Sequence, residues 1–447
     1  METDRQADAL LAPRPGGPPR PQIVRGQGVW LWDADGRRYL DGIGGIHVVS
    51  IGHGVAEVGE AMARQASRVA FAFNTHFTTE PQERLAERVV AMAPPGLTRA
   101  YFVSGGSEAT EVALQFARQY HLARGRPSKW RAIGRWHSYH GSSVGAMSVT
   151  GHSGRRRDYA PYLLDFPHIA PPCGRSCRLG RAEPSACLAC ADELAVTIER
   201  EGADTIAAFF AEPIVGTTAG ALVPPSGYYE RVREICDRYD VLFVADEVIT
   251  GFGRTGRTFG IEHWRATPDL ITSAKGLSSG YAPIGAVVVH GRVAEALAQG
   301  RPDGYFVGYT YSGNPVSCAA ALAVQDYLAR HRLIERCARI GGYLRARLET
   351  LRRHRHVGEV RGRGLLLGLD LVADQATAAP SPRAARLQER VVAAALERGL
   401  ALIGGTGRGY GPDGDHLLVT PPFVITEAEC DQLVDALDGA LAAVAPT

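Results

Sequence analysis

Val241-Leu-Phe-Val-Ala-Asp246-Glu247 is an unbroken apolar run that ends in two carboxylates. Thr205-Ile-Ala-Ala-Phe-Phe-Ala211, followed by Glu212-Pro213, has the same form, and a helical pattern from Tyr228 to Tyr239 lies between the two. A strand with no polar alternation is buried on both faces. Strands of that kind alternating with helices make a mainly parallel sheet covered by helices. The predicted fold class is therefore α/β. Ligands of such sheets bind at the carboxyl ends of the strands, and two strands each deliver a carboxylate to that edge.

The flanking segments point to the same edge. Ala100-Tyr-Phe-Val103 reads as a buried strand that runs into Ser104-Gly-Gly-Ser107-Glu108. Ala109, Val112, Ala113, Phe116, Ala117 and Tyr120 follow at helical spacing. A strand, a glycine turn and a helix start place free N–H groups and the positive end of a dipole where a phosphate can bind. The Ser107 hydroxyl can serve that phosphate or simply cap the helix. Residues 131–141 run from a short strand to Tyr139-His140-Gly141, where the tyrosine ring can cover a flat ligand or pack in the core. Downstream, Pro268-Asp-Leu-Ile-Thr272 leads to Lys275. Only two of the 49 basic residues are lysines, Lys129 and Lys275. Arginine stays protonated at any working pH, whereas a desolvated lysine can lose its proton and attack a carbonyl. Lys275 is the candidate nucleophile, against the plainer reading of a surface charge. Gly251-Phe-Gly253-Arg-Thr-Gly256 matches a dinucleotide fingerprint by letter, but no strand leads directly into it and no helix opens after it.

The 447 residues suffice for two or three domains, and 45% hydrophobic with 21% charged residues is ordinary for a globular enzyme. A net charge of +2 gives no reason to expect nucleic acid or an acidic membrane as a partner. No apolar run has the length of a membrane span. Residues 1–28, rich in proline, do not read as a signal peptide, and a mobile N-terminal arm in a cytoplasmic protein is expected. Residues 29–41 read as a hairpin around Asp33-Ala-Asp-Gly36, and the glycines of 42–54 allow close approach of the backbone to another group. Four of the eight cysteines, Cys173, Cys177, Cys187 and Cys190, crowd into a loop at 171–191. They suit a structural zinc or a set of reduced thiols.

The ordered set Ser104-Gly-Gly-Ser-Glu-Ala109, Tyr139-His-Gly141, Ala211-Glu-Pro213, Asp246-Glu-Val248, Gly251-Phe-Gly-Arg-Thr-Gly256, Lys275 and Gly308-Tyr-Thr-Tyr-Ser-Gly313 resembles the class III pyridoxal-phosphate aminotransferases. These are the ω-amino acid and amine transaminases of fold type I. The resemblance runs from about residue 28 to the end. It implies a large domain at 76–315, an N-terminal segment at 29–75 packing with the small domain, and a small α+β domain at 316–447. It also implies roles. Lys275 would hold the cofactor as a Schiff base and move the proton, and Asp246 would pair with the pyridinium nitrogen. Gly106 and Ser107 would bind the phosphate, with Thr310 reaching the phosphate of the neighbouring subunit's cofactor. Tyr139 and Val248 would cover the two ring faces, with His140 and Glu212 completing the cofactor site. A homodimer with shared active sites follows, with a tetramer open.

The implied reaction is ping-pong transfer of an amino group from an amine or ω-amino acid to a keto acid, pyruvate first and 2-oxoglutarate next. His47, Phe73 and Arg408 are the substrate candidates. Many family members place a carboxylate-binding arginine where this chain has Gly411, and Arg408 is the nearest arginine that could replace it. An aminomutase, racemase or decarboxylase on the same fold is the alternative. A metal-binding scaffold built on the cysteines is a more remote one.

Overall fold

A computed structural model describes residues 20–172, 188–300, 307–407 and 413–444. The chain opens with β1 (Ile23–Gln27), β2 (Trp30–Asp33) and β3 (Arg38–Asp41), an antiparallel meander. The β2–β3 hairpin turns at Gly36, whose φ of +82° suits glycine. Residues 23–27 belong to this sheet rather than to an arm, because they pair in register with β2, Gly26 opposite Leu31. The glycines of 42–54 approach the chain itself. A Cβ on Gly42 would stand 2.9 Å from the Ala401 carbonyl oxygen, and one on Gly44 2.8 Å from that of Thr420. His53 is held by Asp41 at 2.9 Å.

The central sheet has seven strands: β4 (Leu97–Val103), β5 (Arg131–Arg135), β6 (His168–Ile169), β7 (Ile206–Ala211), β8 (Leu242–Asp246), β9 (Leu270–Ser273) and β10 (Gly285–His290). Their order is β4-β10-β9-β8-β7-β5-β6, parallel throughout except for β10, which runs antiparallel to both neighbours. The alternation of β8 shows why an unbroken apolar strand is needed. Leu242 and Val244 pack with Val112, Phe116 and Val293 of the helices Gly106–Ala123 and Gly291–Gly300. Phe243 and Ala245 pack on the other face with Leu85, Ile198 and Val232, from the helices Glu80–Met92, Ala189–Glu201 and Tyr228–Tyr239. A fully buried phenylalanine such as Phe243 contributes roughly 2–3 kcal/mol by burial alone.

The C-terminal part forms a second layer. Strands β11 (Val357–Arg363), β12 (Leu366–Asp374), β15 (Ile403–Thr406) and β16 (Asp415–Val419) lie in the order β11-β12-β16-β15, and β13 (Ala379–Pro380) pairs with β12. The intervening β14 (Leu400–Ala401) instead joins β3 of the N-terminal meander. Leu367, Leu369 and Leu417 pack under the helices Leu333–Glu349, Leu387–Glu397 and Glu427–Ala443. Arg254 ties the layers together. It is buried and donates to the carbonyls of Val49, Leu365, Thr420 and Pro421. Among the described residues no helix is long and apolar enough to cross a membrane.

Candidate active site

The carboxyl ends of five parallel strands meet at one edge. β9 ends at Ser273, and Lys275 starts the short turn Lys275–Leu277. Its φ of +35° is left-handed, which costs a non-glycine residue about 1 kcal/mol and suits a position fixed by what surrounds it. Among the described residues the Lys275 amine has no hydrogen-bond partner. Burial pushes it down to about 8. Asp246 opposes that shift, while the positive charges of Arg254 and Arg155 add to it. An amine at that value is partly deprotonated near neutral pH.

Asp246 ends β8 and is buried. Its Oδ1 accepts the Val248 N–H at 3.0 Å and its Oδ2 accepts from His140 Nδ1 at 2.6 Å. Burial works against a charged His140. The Glu212 carboxylate and the bond to Asp246 outweigh it, so the imidazole sits above its ordinary value. The result is a buried carboxylate backed by an imidazole donor.

β7 ends beside Glu212. Its Oε1 accepts the Tyr139 N–H at 3.0 Å, and its Oε2 lies 3.2 Å from the Arg135 guanidinium at the end of β5. Arg135 also donates to the Glu212 carbonyl at 2.6 Å. These bonds fix the Tyr139–Gly141 turn. β4 delivers the fourth group. The helix Gly106–Ala123 opens at Gly106, and its first-turn N–H groups have no acceptor within the helix. A Cβ on Gly106 would come 3.1 Å from the Val248 methyls, so glycine lets the helix start this close to Val248 without displacing it. Ser107 Oγ accepts the Ser142 N–H at 3.1 Å, and Thr110 Oγ1 donates to the His140 carbonyl at 2.8 Å.

This donor set fits pyridoxal phosphate. It offers an amine for the aldehyde, a carboxylate for the ring nitrogen, an aromatic side chain for a ring face and a helix N-terminus for the phosphate. The matching family model, aminotransferase class-III, covers residues 12–441. The chain belongs to the class III aminotransferases. This is a pyridoxal-phosphate-dependent family of fold type I. The chain is 37% identical to the diaminobutyrate–2-oxoglutarate transaminase of Halomonas elongata, over 94% of this chain and 89% of that protein. It is 36% identical to the putrescine–pyruvate aminotransferase of Pseudomonas aeruginosa, over 92% and 88%. Its fold matches an amine transaminase from an uncultivated Pseudomonas species, crystallised in the pyridoxal-phosphate-bound internal aldimine form. The TM-score is 0.89 at 37% identity, covering 96% of this chain and 98% of that one.

Other expected site residues fall differently in this aminotransferase. His47 is buried, and both ring nitrogens face threonine hydroxyls, Thr420 at 2.7 Å and Thr217 at 2.8 Å. Burial first, then Lys275 and Arg254, hold it well below its ordinary value and so neutral. Thr310 and Phe73 are exposed, and no hydrogen bond links either to the Lys275 group. Their segments instead meet each other. Phe71 and Tyr311 rings lie 6.3 Å apart, and Asn74 donates to the Ser312 carbonyl at 3.3 Å. Arg408, Cys173, Cys177 and Cys187 lie outside the described residues, while Cys190 is buried. No group of three or more potential metal ligands exists among the described residues, so the expected zinc is not supported. The sequence reading missed Arg135, although a charge closing the apolar run Ala132-Ile-Gly134 signals a buried partner. It also missed Arg155, whose guanidinium carbon lies 4.4 Å over the Tyr139 ring.

Proposed function

We propose that this aminotransferase moves the amino group of a small amine or ω-amino acid to a keto acid, with pyruvate as the preferred acceptor and 2-oxoglutarate second. The observation that carries the reading is the Lys275 amine. It lacks a hydrogen-bond partner among the described residues, is lowered to about 8, and stands at the strand edge that also holds the Asp246–His140 pair. Pyridoxal phosphate, when bound, supplies an aldehyde that takes the amino group and an electron sink for the carbon that loses its proton. Lys275 is the proton carrier at that carbon, because an amine near 8 can both accept and donate at neutral pH. Asp246, fixed by His140, holds negative charge where the ring nitrogen sits, and Tyr139 and Val248 cover the ring. Gly106 and Ser107 donate N–H groups to the phosphate. His47 shapes the donor side as a neutral polar group beside Lys275.

The names of the relatives support both acceptors, since one is a 2-oxoglutarate enzyme and the other a pyruvate enzyme. The exposed apolar residues Phe71, Phe73, Phe77 and Tyr311 support a homodimer in which Thr310 and Phe73 serve the partner's site. We place the boundary between the large and small domains near residue 315 and the protein in the cytoplasm. The test is the visible spectrum of the purified protein with pyridoxal phosphate. A band that bleaches with amines and returns with pyruvate is expected. A protein that gains no band would remove Lys275 from the role given to it.

A further inference from the structure

Three arginines stand around the Lys275 site, and two are held by buried protein acceptors. Arg135 holds Glu212, and Arg254 holds four backbone carbonyls. The third, Arg155, belongs to the short helix Ser153–Arg156. Its side chain is exposed and rests on the Tyr139 ring. A guanidinium carries five N–H donors, and among the described residues none of these has an acceptor or a carboxylate partner. Its neighbour in sequence shows the contrast, because the Arg156 guanidinium donates to the carbonyls of Met147, Ser148 and Thr150.

Arg155 opens into a cavity of about 450 Å³ that Tyr139, Ser142, Ser143, Asp158 and Tyr159 also line. Tyr139 therefore joins this cavity to the cofactor site. The positive charge of Arg155 also adds to the lowering of the Lys275 amine. Asp158 makes no ion pair with Arg155. It puts a negative charge on the same wall, which disfavours a second carboxylate on any ligand that Arg155 holds.

We propose that Arg155 is the specificity-determining residue of this site and binds the single terminal carboxylate of an ω-amino acid whose amine is directed at Lys275. The inference rests on the transaminase reading above and narrows its donor to ω-amino monocarboxylic acids. A planar fork with open donors forms paired charge-assisted bonds to a carboxylate, while the ring beneath it fixes the plane of the fork.

The test uses the holoenzyme and two donors of equal length, 5-aminopentanoate and pentylamine, which differ only in a carboxylate exchanged for a methyl. The amine half-reaction is followed by the loss of cofactor absorbance. Arg155→Leu should raise the half-saturating concentration of 5-aminopentanoate by about ten- to a hundredfold and that of pentylamine by less than about twofold. Its limiting rates should change little, and Arg155→Lys should recover part of the loss. Equal weakening of both donors would show that Arg155 only props Tyr139 and would overturn the proposal. So would an unchanged Arg155→Leu with the whole loss found in Arg408→Leu. If the wild type forms no cofactor band, the transaminase reading fails separately. Calorimetric titration with pentanoate, which needs no cofactor, then still decides Arg155. Binding lost in Arg155→Leu supports the carboxylate site, and equal binding by both proteins rejects it.

Discussion

Lys129 and Lys275 are the only lysines of the chain, and both are withdrawn from solvent to different ends. Lys129 is 4% exposed, and its amine donates to the carbonyls of Ile206, Tyr239 and Asp240 at 2.9, 2.9 and 3.1 Å. Two of those carbonyls close the helix Tyr228–Tyr239, where a cation also meets the negative end of the dipole. Lys275 sits past the end of β9 with no such partners among the described residues. Burial lowers both amines. At Lys129 the carbonyls satisfy every proton of the ammonium. At Lys275 the nearby cations Arg254 and Arg155 favour its loss. The same residue type is a structural cap in one place and the proposed reactive group in the other, and the difference lies in the neighbours.

The strongest way to break this contrast is to remove each amine in turn. Lys275→Ala should lower amine transfer by a thousandfold or more, on the order expected when a covalent anchor and proton carrier are both lost. Its circular dichroism should stay as in the wild type. Single-turnover kinetics measure the loss, and residual transfer within about tenfold of the wild type would contradict the assignment. Lys129→Met should leave the half-reaction nearly intact but cost roughly 3 kcal/mol of stability, because three buried carbonyls lose their donor. Urea unfolding reads that cost. An unchanged midpoint would mean that the cap contributes nothing.

Chemical reactivity sharpens the same contrast with the protein unchanged. Treating the cofactor-free protein with a small acylating reagent should modify Lys275 with a pH midpoint near 8. Lys129 should stay unmodified until the fold opens, since its amine is fully bonded. Peptide mass analysis resolves the two sites. Modification of Lys129 at a rate equal to that of Lys275 would remove the distinction.

The strand edge was legible because it follows from pattern. Continuous apolar runs ending in Glu212 and Asp246, a glycine turn before a helical face at Gly106, and a rare lysine after β9 each carry a physical signal that survives without coordinates. The antiparallel setting of β10 was not legible. Gly285–His290 has the same unbroken apolar composition as its parallel neighbours, and composition does not encode direction. The His140–Asp246 bond joins residues 106 positions apart, and Arg155 reaches Tyr139 from a separate short helix. Such contacts exist only after the sheet has assembled. His47 illustrates the converse. Its position was visible, but its two threonine partners come from distant loops at Thr217 and Thr420.

The smallest effect expected tests what the Lys275 site costs the empty fold. An amine held at about 8 in the folded chain and near 10.5 in the unfolded one is charged in both states below pH 8. There the folded protein bears the full cost of an ammonium among Arg254 and Arg155, with Asp246 offsetting part of it. Between pH 8 and 10.5 the folded amine gives up its proton while the unfolded chain keeps it, so this contribution to stability rises with pH. Above 10.5 both forms are neutral and the cost is gone. Lys275→Met, measured without cofactor, should therefore melt roughly 2–4 °C higher than the wild type at pH 7. The gap should close as the pH approaches 10.5. Lys129→Met should melt lower than the wild type at pH 7, because there the ammonium is the partner its carbonyls need. A Lys275→Met gap that stayed constant from pH 7 to 10.5 would trace the effect to packing and not to the charge of the amine.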